Sequence, residues 1–269
     1  MTQSLINQYP PTDPLIRAQR SSERGDLEGA QKLLVELIEG ETETILSERG
    51  VQARATLAEV YEGLGLFEQA GEVLSAYDVH ALDELPPHAR GLLLLATGSR
   101  AYWQNDFPRS VTMLNRARDI LEPLGDAPNL ARVLHCLGRA YWAMDELALA
   151  REYYEFAIEW GRRSQRDRAL AITYMNLGLV ARHEGDVDEA GMCYRRALRL
   201  LRNTTDETTR ARLQINLGVM HLWQGNFYEA TNSLQRALEH LSNSQSSRLI
   251  GVVHNNLAVA SIYTGEWAA

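Results

Sequence analysis

A short pattern returns along this chain every 40 residues and never slips. It reads Gly25-Asp26-Leu27-Glu28-Gly29-Ala30, then Gly65-Leu66-Phe67-Glu68-Gln69-Ala70. Asn105-Asp106-Phe107-Pro108-Arg109-Ser110 and Asp145-Glu146-Leu147-Ala148-Leu149-Ala150 follow. Gly185-Asp186-Val187-Asp188-Glu189-Ala190 and Gly225-Asn226-Phe227-Tyr228-Glu229-Ala230 come next, and Gly265-Glu266-Trp267-Ala268-Ala269 opens a seventh. A register held over so many intervals marks a repeat architecture, in which each unit buries its apolar face only against its neighbours. That displaces the reading that a length of 269 residues invites, one or two globular domains.

Each period reads as two helices. In the stretch 168–202 the first half, 169–182, has good helix-forming composition with apolar residues at helical spacing. Gly185-Asp186 ends it: glycine permits the turn, and the Asp carboxylate can accept the first unpaired N–H groups of the next helix. The second half places Ala190, Tyr194, Ala197, Leu198 and Leu201 on one stripe. Antiparallel pairs with short turns stack, so the expected fold is an all-α solenoid of antiparallel helix pairs.

These residues resemble the tetratricopeptide (TPR) repeat, whose signature is small residues at positions 8, 20 and 27 with large ones at 7 and 24. With position 20 at Ala190, position 7 is Leu177, position 8 Gly178, position 24 Tyr194 and position 27 Ala197. The position 8 column reads Ala58, Gly98, Gly138, Gly178, Gly218, Ala258; the position 20 column reads Ala30, Ala70, Ser110, Ala150, Ala190, Ala230. Small residues belong where two helices cross closely. The step of 40 exceeds the family's usual 34. It is similar to the long repeats of kinesin light chains, LGN/Pins-type scaffolds and bacterial peptide-responsive regulators. The resemblance implies a right-handed superhelix. The expected organisation is an N-terminal extension over 1–12 and a single solenoid over 13–269. That solenoid has six pairs, marked at 25, 65, 105, 145, 185 and 225, and a truncated seventh at 265. The ending at 265–269 reads as the first turn of a further helix, so a longer natural protein is expected.

Composition narrows the function. Apolar residues at 45% and charged residues at 23% are those of a folded chain rather than a disordered one. With 27 Lys+Arg against 35 Asp+Glu the net charge is −8, which argues against direct nucleic-acid binding. The N-terminus has no basic start and apolar run, and no apolar stretch approaches the roughly 20 residues a bilayer requires, so a cytoplasmic, non-membrane protein is expected. No phosphate loop, His-Glu-x-x-His helix or nucleophile elbow occurs. The expectation is no enzyme, no catalytic residues, no metal and no cofactor. Cys136 and Cys193 sit inside helices as small apolar residues. The run Arg162-Arg163-Ser164-Gln165-Arg166-Asp167-Arg168 reads as a solvated helix end.

The resemblance places positions 2, 6, 9 and 13 of each first helix in a concave groove. Asn176, Asn216 and Asn256 recur there at one repeat position. An amide offers two donors and an acceptor, which suits the backbone of an extended peptide; the alternative is that these amides bond to neighbouring helices and knit the stack. Arg132, Arg139 and Arg212 lie on the same stripe and could select an acidic segment, or pair with acidic residues of adjacent helices. His183, Trp103, Trp223 and Tyr263 complete the candidate groove. The leading expectation is a protein-interaction scaffold that binds an extended peptide. The alternatives are a sensory arm of a larger bacterial signalling or transcription-regulator protein, and self-association through the open last repeat.

Overall fold

A computed structural model describes residues 10–40, 46–77, 82, 84–164, 166–242 and 246–265. Most of the expected 1–12 extension, and the chain after Gly265, lie outside them. The described residues form thirteen α-helices and no strand. Contacts divide the chain into two compact units, Met1–Ala169 and Leu170–Ala269.

The first unit contains four pairs: α1 (Pro14–Arg24) with α2 (Leu27–Glu39), α3 (Glu48–Leu64) with α4 (Phe67–Ser75), α5 (Pro87–Trp103) with α6 (Phe107–Leu121), and α7 (Ala127–Ala143) with α8 (Leu147–Ser164). The second contains α9 (Asp167–His183), whose first turn carries the division, α10 (Val187–Leu200), α11 (Glu207–Trp223), α12 (Phe227–Leu241) and α13 (Ser247–Thr264). The second helices begin at Leu27, Phe67, Phe107, Leu147, Val187 and Phe227, so the sequence step of 40 is the structural step.

Local chemistry fixes each turn. Gly25, Gly65, Gly185, Gly225 and Gly265 end first helices with φ between 75° and 92°. In the two repeats that lack glycine, Asn105 and Asp145 take the same left-handed place at φ 61° and 63°, as short polar side chains can. Asp26, Asp106 and Asp186 then cap the next helix by accepting the backbone N–H of Gly29, Arg109 and Glu189 at 2.9, 3.2 and 2.9 Å.

The interior follows the column of small residues. A Cβ on Gly98, Gly138, Gly178 or Gly218 would lie 2.8, 2.7, 2.5 or 2.7 Å from Leu114, Tyr154, Tyr194 or Leu234, the large residue sixteen positions later. The position 20 residues are at most 2% exposed. Ser110, the one polar member of that column, satisfies its hydroxyl by donating to the Gly98 carbonyl at 2.8 Å. In the first unit the core runs from Leu15 and Leu34 through Leu57 to Leu94, Leu121 and Leu137; in the second, Ile215, Leu234, Leu241 and Val253 carry it.

Candidate functional site

In the first unit the stripe expected to bind a ligand is closed on itself. Arg132 on α7 meets Glu59 on α3 at 2.7 Å and donates to Asn129 Oδ1 at 3.1 Å. Arg166, expected to be solvated, instead lies 3.5 Å from Glu23 on α1, and its side chain is only 15% exposed. Arg163, from the same run, pairs with Glu159 at 2.9 Å and lies over the Trp160 ring. Ser99 on α5 donates to Glu62 Oε2 at 2.7 Å. The Arg139 guanidinium stacks over Tyr102 and Trp103, 4.1 and 4.6 Å from the ring centroids. Trp103 packs against Phe67 at 4.3 Å.

Part of this network is desolvated. Burial raises the Glu62 carboxyl above its ordinary range in spite of the Ser99 hydrogen bond and the Arg139 charge. Burial likewise raises Glu23, against Arg166. Burial pushes the Cys136 thiol up, although Arg139 and Arg132 are close, so the structure gives that cysteine no thiolate character. Neither Cys136 nor Cys193 forms a disulfide. Sequence reasoning named Arg132, Arg139 and Trp103 but missed Glu23, Glu59 and Glu62. The signal was present: Glu59 stands at position 9 of the second repeat, 40 residues before Ser99 and 80 before Arg139.

The second unit carries the same stripe in a different state. Asn176 on α9 and Asn216 on α11 are half-buried, and neither amide has a hydrogen-bond partner among the described residues. Asn256 on α13 turns back and donates to the Val252 carbonyl of its own helix at 2.8 Å. Beside the amides Leu179, Val219 and Val259 form a half-buried aliphatic row. Arg212 and His183 are exposed on the same stripe. Trp223 is 68% exposed, with the Arg182 guanidinium 5.4 Å from its ring centroid. Tyr263 stacks on Phe227 at 4.7 Å, nearly parallel.

The aromatic contacts repeat. Phe67 against Trp103 and Phe227 against Tyr263 are the same pair, 36 residues apart, at the same repeat positions. Two of the three candidate aromatic anchors therefore contribute to packing between repeats. Trp223 has Val187 at the matching position of the preceding repeat instead of a phenylalanine.

Charge divides in the same way. Residues 1–169 hold 18 Lys+Arg and 26 Asp+Glu, the whole surplus of −8, whereas residues 170–269 hold nine of each. No cluster of His, Cys, Asp or Glu among the described residues could hold a metal ion, and no described helix is long and apolar enough to cross a membrane.

Residues 169–241 match the tetratricopeptide repeat family, and residues 131–160 match it separately. No curated protein matches the chain. Among solved structures, the apo form of the quorum sensor NprR from B. thuringiensis is similar, with TM-score 0.71 and 16% identity over 94% of this chain and 71% of that one. NprR in complex with its cognate peptide NprX has TM-score 0.66 and 15% identity over 94% and 73%. A signal-transduction ATPase with a tetratricopeptide repeat sensor, from Pyrococcus horikoshii, has TM-score 0.63 and 17% identity over 94% of this chain. This chain spans 38% of that protein's length. At such identities the likeness is one of fold.

Proposed function

We propose that this chain, whose residues 131–160 and 169–241 match the tetratricopeptide repeat family, is a non-enzymatic interaction module whose second unit binds an extended segment of a partner protein or peptide. One observation carries the reading: the half-buried amides of Asn176 and Asn216 stand at one register on successive first helices, α9 and α11, with no hydrogen-bond partner among the described residues. A peptide backbone offers the N–H and C=O groups these amides lack, whatever its side chains are. The aliphatic row of Leu179, Val219 and Val259 supplies apolar contact beside them. Arg212 and Arg182 supply positive charge, which favours a segment carrying a carboxylate.

The first unit's stripe is not the binding face in this reading. Its arginines already have carboxylates at hand, Arg132 with Glu59 and Arg139 near Glu62. A ligand would have to displace ion pairs in place. Unpartnered amides need only exchange water.

A screen of the whole chain against an array of extended peptides tests the proposal. Peptides captured by the wild type should bind Asn216→Ala and Arg212→Glu roughly tenfold more weakly each, about 1.4 kcal/mol. Helix content and melting temperature should stay nearly unchanged. Unaltered affinity in both variants removes the second unit's stripe from the site.

A second reading is that the module is the sensory arm of a signalling or transcription regulator. The likeness to a quorum sensor also solved with its cognate peptide, and to the repeat sensor of a signal-transduction ATPase, favours it. A captured peptide that changes the chain's radius of gyration in solution scattering would support this reading. Binding without any change in size would speak for a static scaffold.

A further inference from the structure

The first turn of α5 carries a histidine with carboxylates on both sides. His88 Nδ1 lies 2.9 Å from Glu48 Oε1 in the first turn of α3. His88 Nε2 lies 2.8 Å from Asp126 Oδ2, the cap of α7. The imidazole side chain is 11% exposed. Asp126 is itself held, because it also accepts the backbone N–H and the side-chain amide of Asn129 at 3.3 and 2.7 Å.

A neutral imidazole has one donor nitrogen and one acceptor. Ionised carboxylates only accept, so both distances are satisfied at once only if both ring nitrogens carry protons. We propose that His88 is a protonation-dependent clamp: as an imidazolium it ties together the starts of α3, α5 and α7, three successive first helices of the first unit, and losing a proton releases one of its two bonds. The clamp would thereby regulate how firmly those helices hold their spacing.

The local fields are consistent with this. The positive end of the α5 dipole disfavours a cation at His88, whereas the same ends of α3 and α7 favour Glu48 and Asp126. Burial works to lower the His88 pKa, but the hydrogen bonds and charges of Asp126 and Glu48 outweigh it, and the net shift is upward. The Asp126 carboxyl moves down: burial raises it, and the bonds from His88 and Asn129 more than offset that. Glu48 and Asp126 are the charged groups against the ring. The other helices packed on α5, α4 and α6, give His88 no ion-pair partner among the described residues. Since the folded value lies above the unfolded one, about 6.5, the clamp's contribution is complete below that pH. It is lost as pH rises through the folded value.

Nitrogen-detected NMR of the whole chain tests this. At pH 6 both His88 ring nitrogens should be protonated, and the titration midpoint should lie above 6.5. Glu48→Gln and Asp126→Asn should each lower that midpoint, and the double variant should bring it below 6.5, where burial alone acts. The melting-temperature advantage of the wild type over His88→Gln should shrink between pH 6 and pH 9. A singly protonated ring at pH 6, a wild-type midpoint at or below 6.5, or an advantage that does not change with pH would each overturn the clamp. Should His88→Gln fail to fold, the wild-type and Glu48→Gln titrations still decide.

Discussion

The two units have interiors built in the same way and differ on one face. In both, a glycine of the first helix admits a large side chain of the second: Tyr154 over Gly138 in one, Tyr194 over Gly178 in the other. On the stripe, however, the first unit spends its polar groups on itself, with Arg132 against Glu59, Arg166 against Glu23 and Ser99 against Glu62. The second unit leaves the Asn176 and Asn216 amides without partners among the described residues and Trp223 largely in water. A repeat fixes packing because packing is what stacking requires. It leaves the face open to diverge, so that under the proposed function one register serves architecture in one place and recognition in another.

The largest effect should come from the interiors. Gly138→Leu and Gly178→Leu each drive a side chain into a tyrosine that already touches the glycine, and each should cost about 3 kcal/mol of stability or more. Denaturant titration of the two variants would show this, and a loss below about 1 kcal/mol in only one of them would mean that the interiors are not equivalent.

A pH effect should follow, confined to the first unit. Burial, with Arg139 and Arg132 beside it, pushes the His135 pKa down to about 3. The unfolded chain takes up a proton near pH 6.5 that the native ring refuses, so stability falls as pH drops below 6.5. His135→Phe should lessen that fall by roughly 1 kcal/mol at pH 5.5. Identical acid sensitivity of the melting temperature in wild type and variant would show that His135 is protonated in the native state.

Breaking the first unit's stripe should cost less. Arg132→Ala leaves Glu59 without its partner, but the Glu59 side chain is 40% exposed, so solvent screens much of the loss. About 1 kcal/mol is expected, and it should shrink in high salt. A loss that ignores salt would point to lost packing of the arginine stem rather than to the ion pair. The smallest stability effect belongs to the second unit. Trp223→Ser should change stability by no more than about 0.5 kcal/mol, since the ring is mostly exposed. A much larger cost would make Trp223 a packing residue and remove it from the candidate face.

The sequence was legible where one residue type has one local job. The left-handed turn glycines, the capping aspartates and the glycines under Tyr154, Tyr194 and Leu234 all follow from the step of 40. Partners across helices were not legible. Arg132 and Glu59 are 73 residues apart, and a register says which side of a helix each occupies, not which acidic group an arginine reaches. Nor could the recurring asparagines be told apart, because Asn256 differs from Asn176 and Asn216 only by bonding to its own helix. The aromatic anchors were readable in part. A phenylalanine stands 36 residues before Trp103 and Tyr263, and a valine before Trp223.

The contrast between the faces can be tested in one binding measurement. A peptide captured by the wild type is titrated calorimetrically against two double variants, Asn176→Ala/Asn216→Ala and Glu59→Gln/Arg132→Gln. The first should lose roughly a hundredfold in affinity, about 2.7 kcal/mol, with its melting temperature unchanged. The second should lose stability and keep its affinity. The reverse pattern, binding lost with the ion pair and kept without the amides, would contradict the assignment of the first unit's stripe to architecture and the second unit's stripe to recognition.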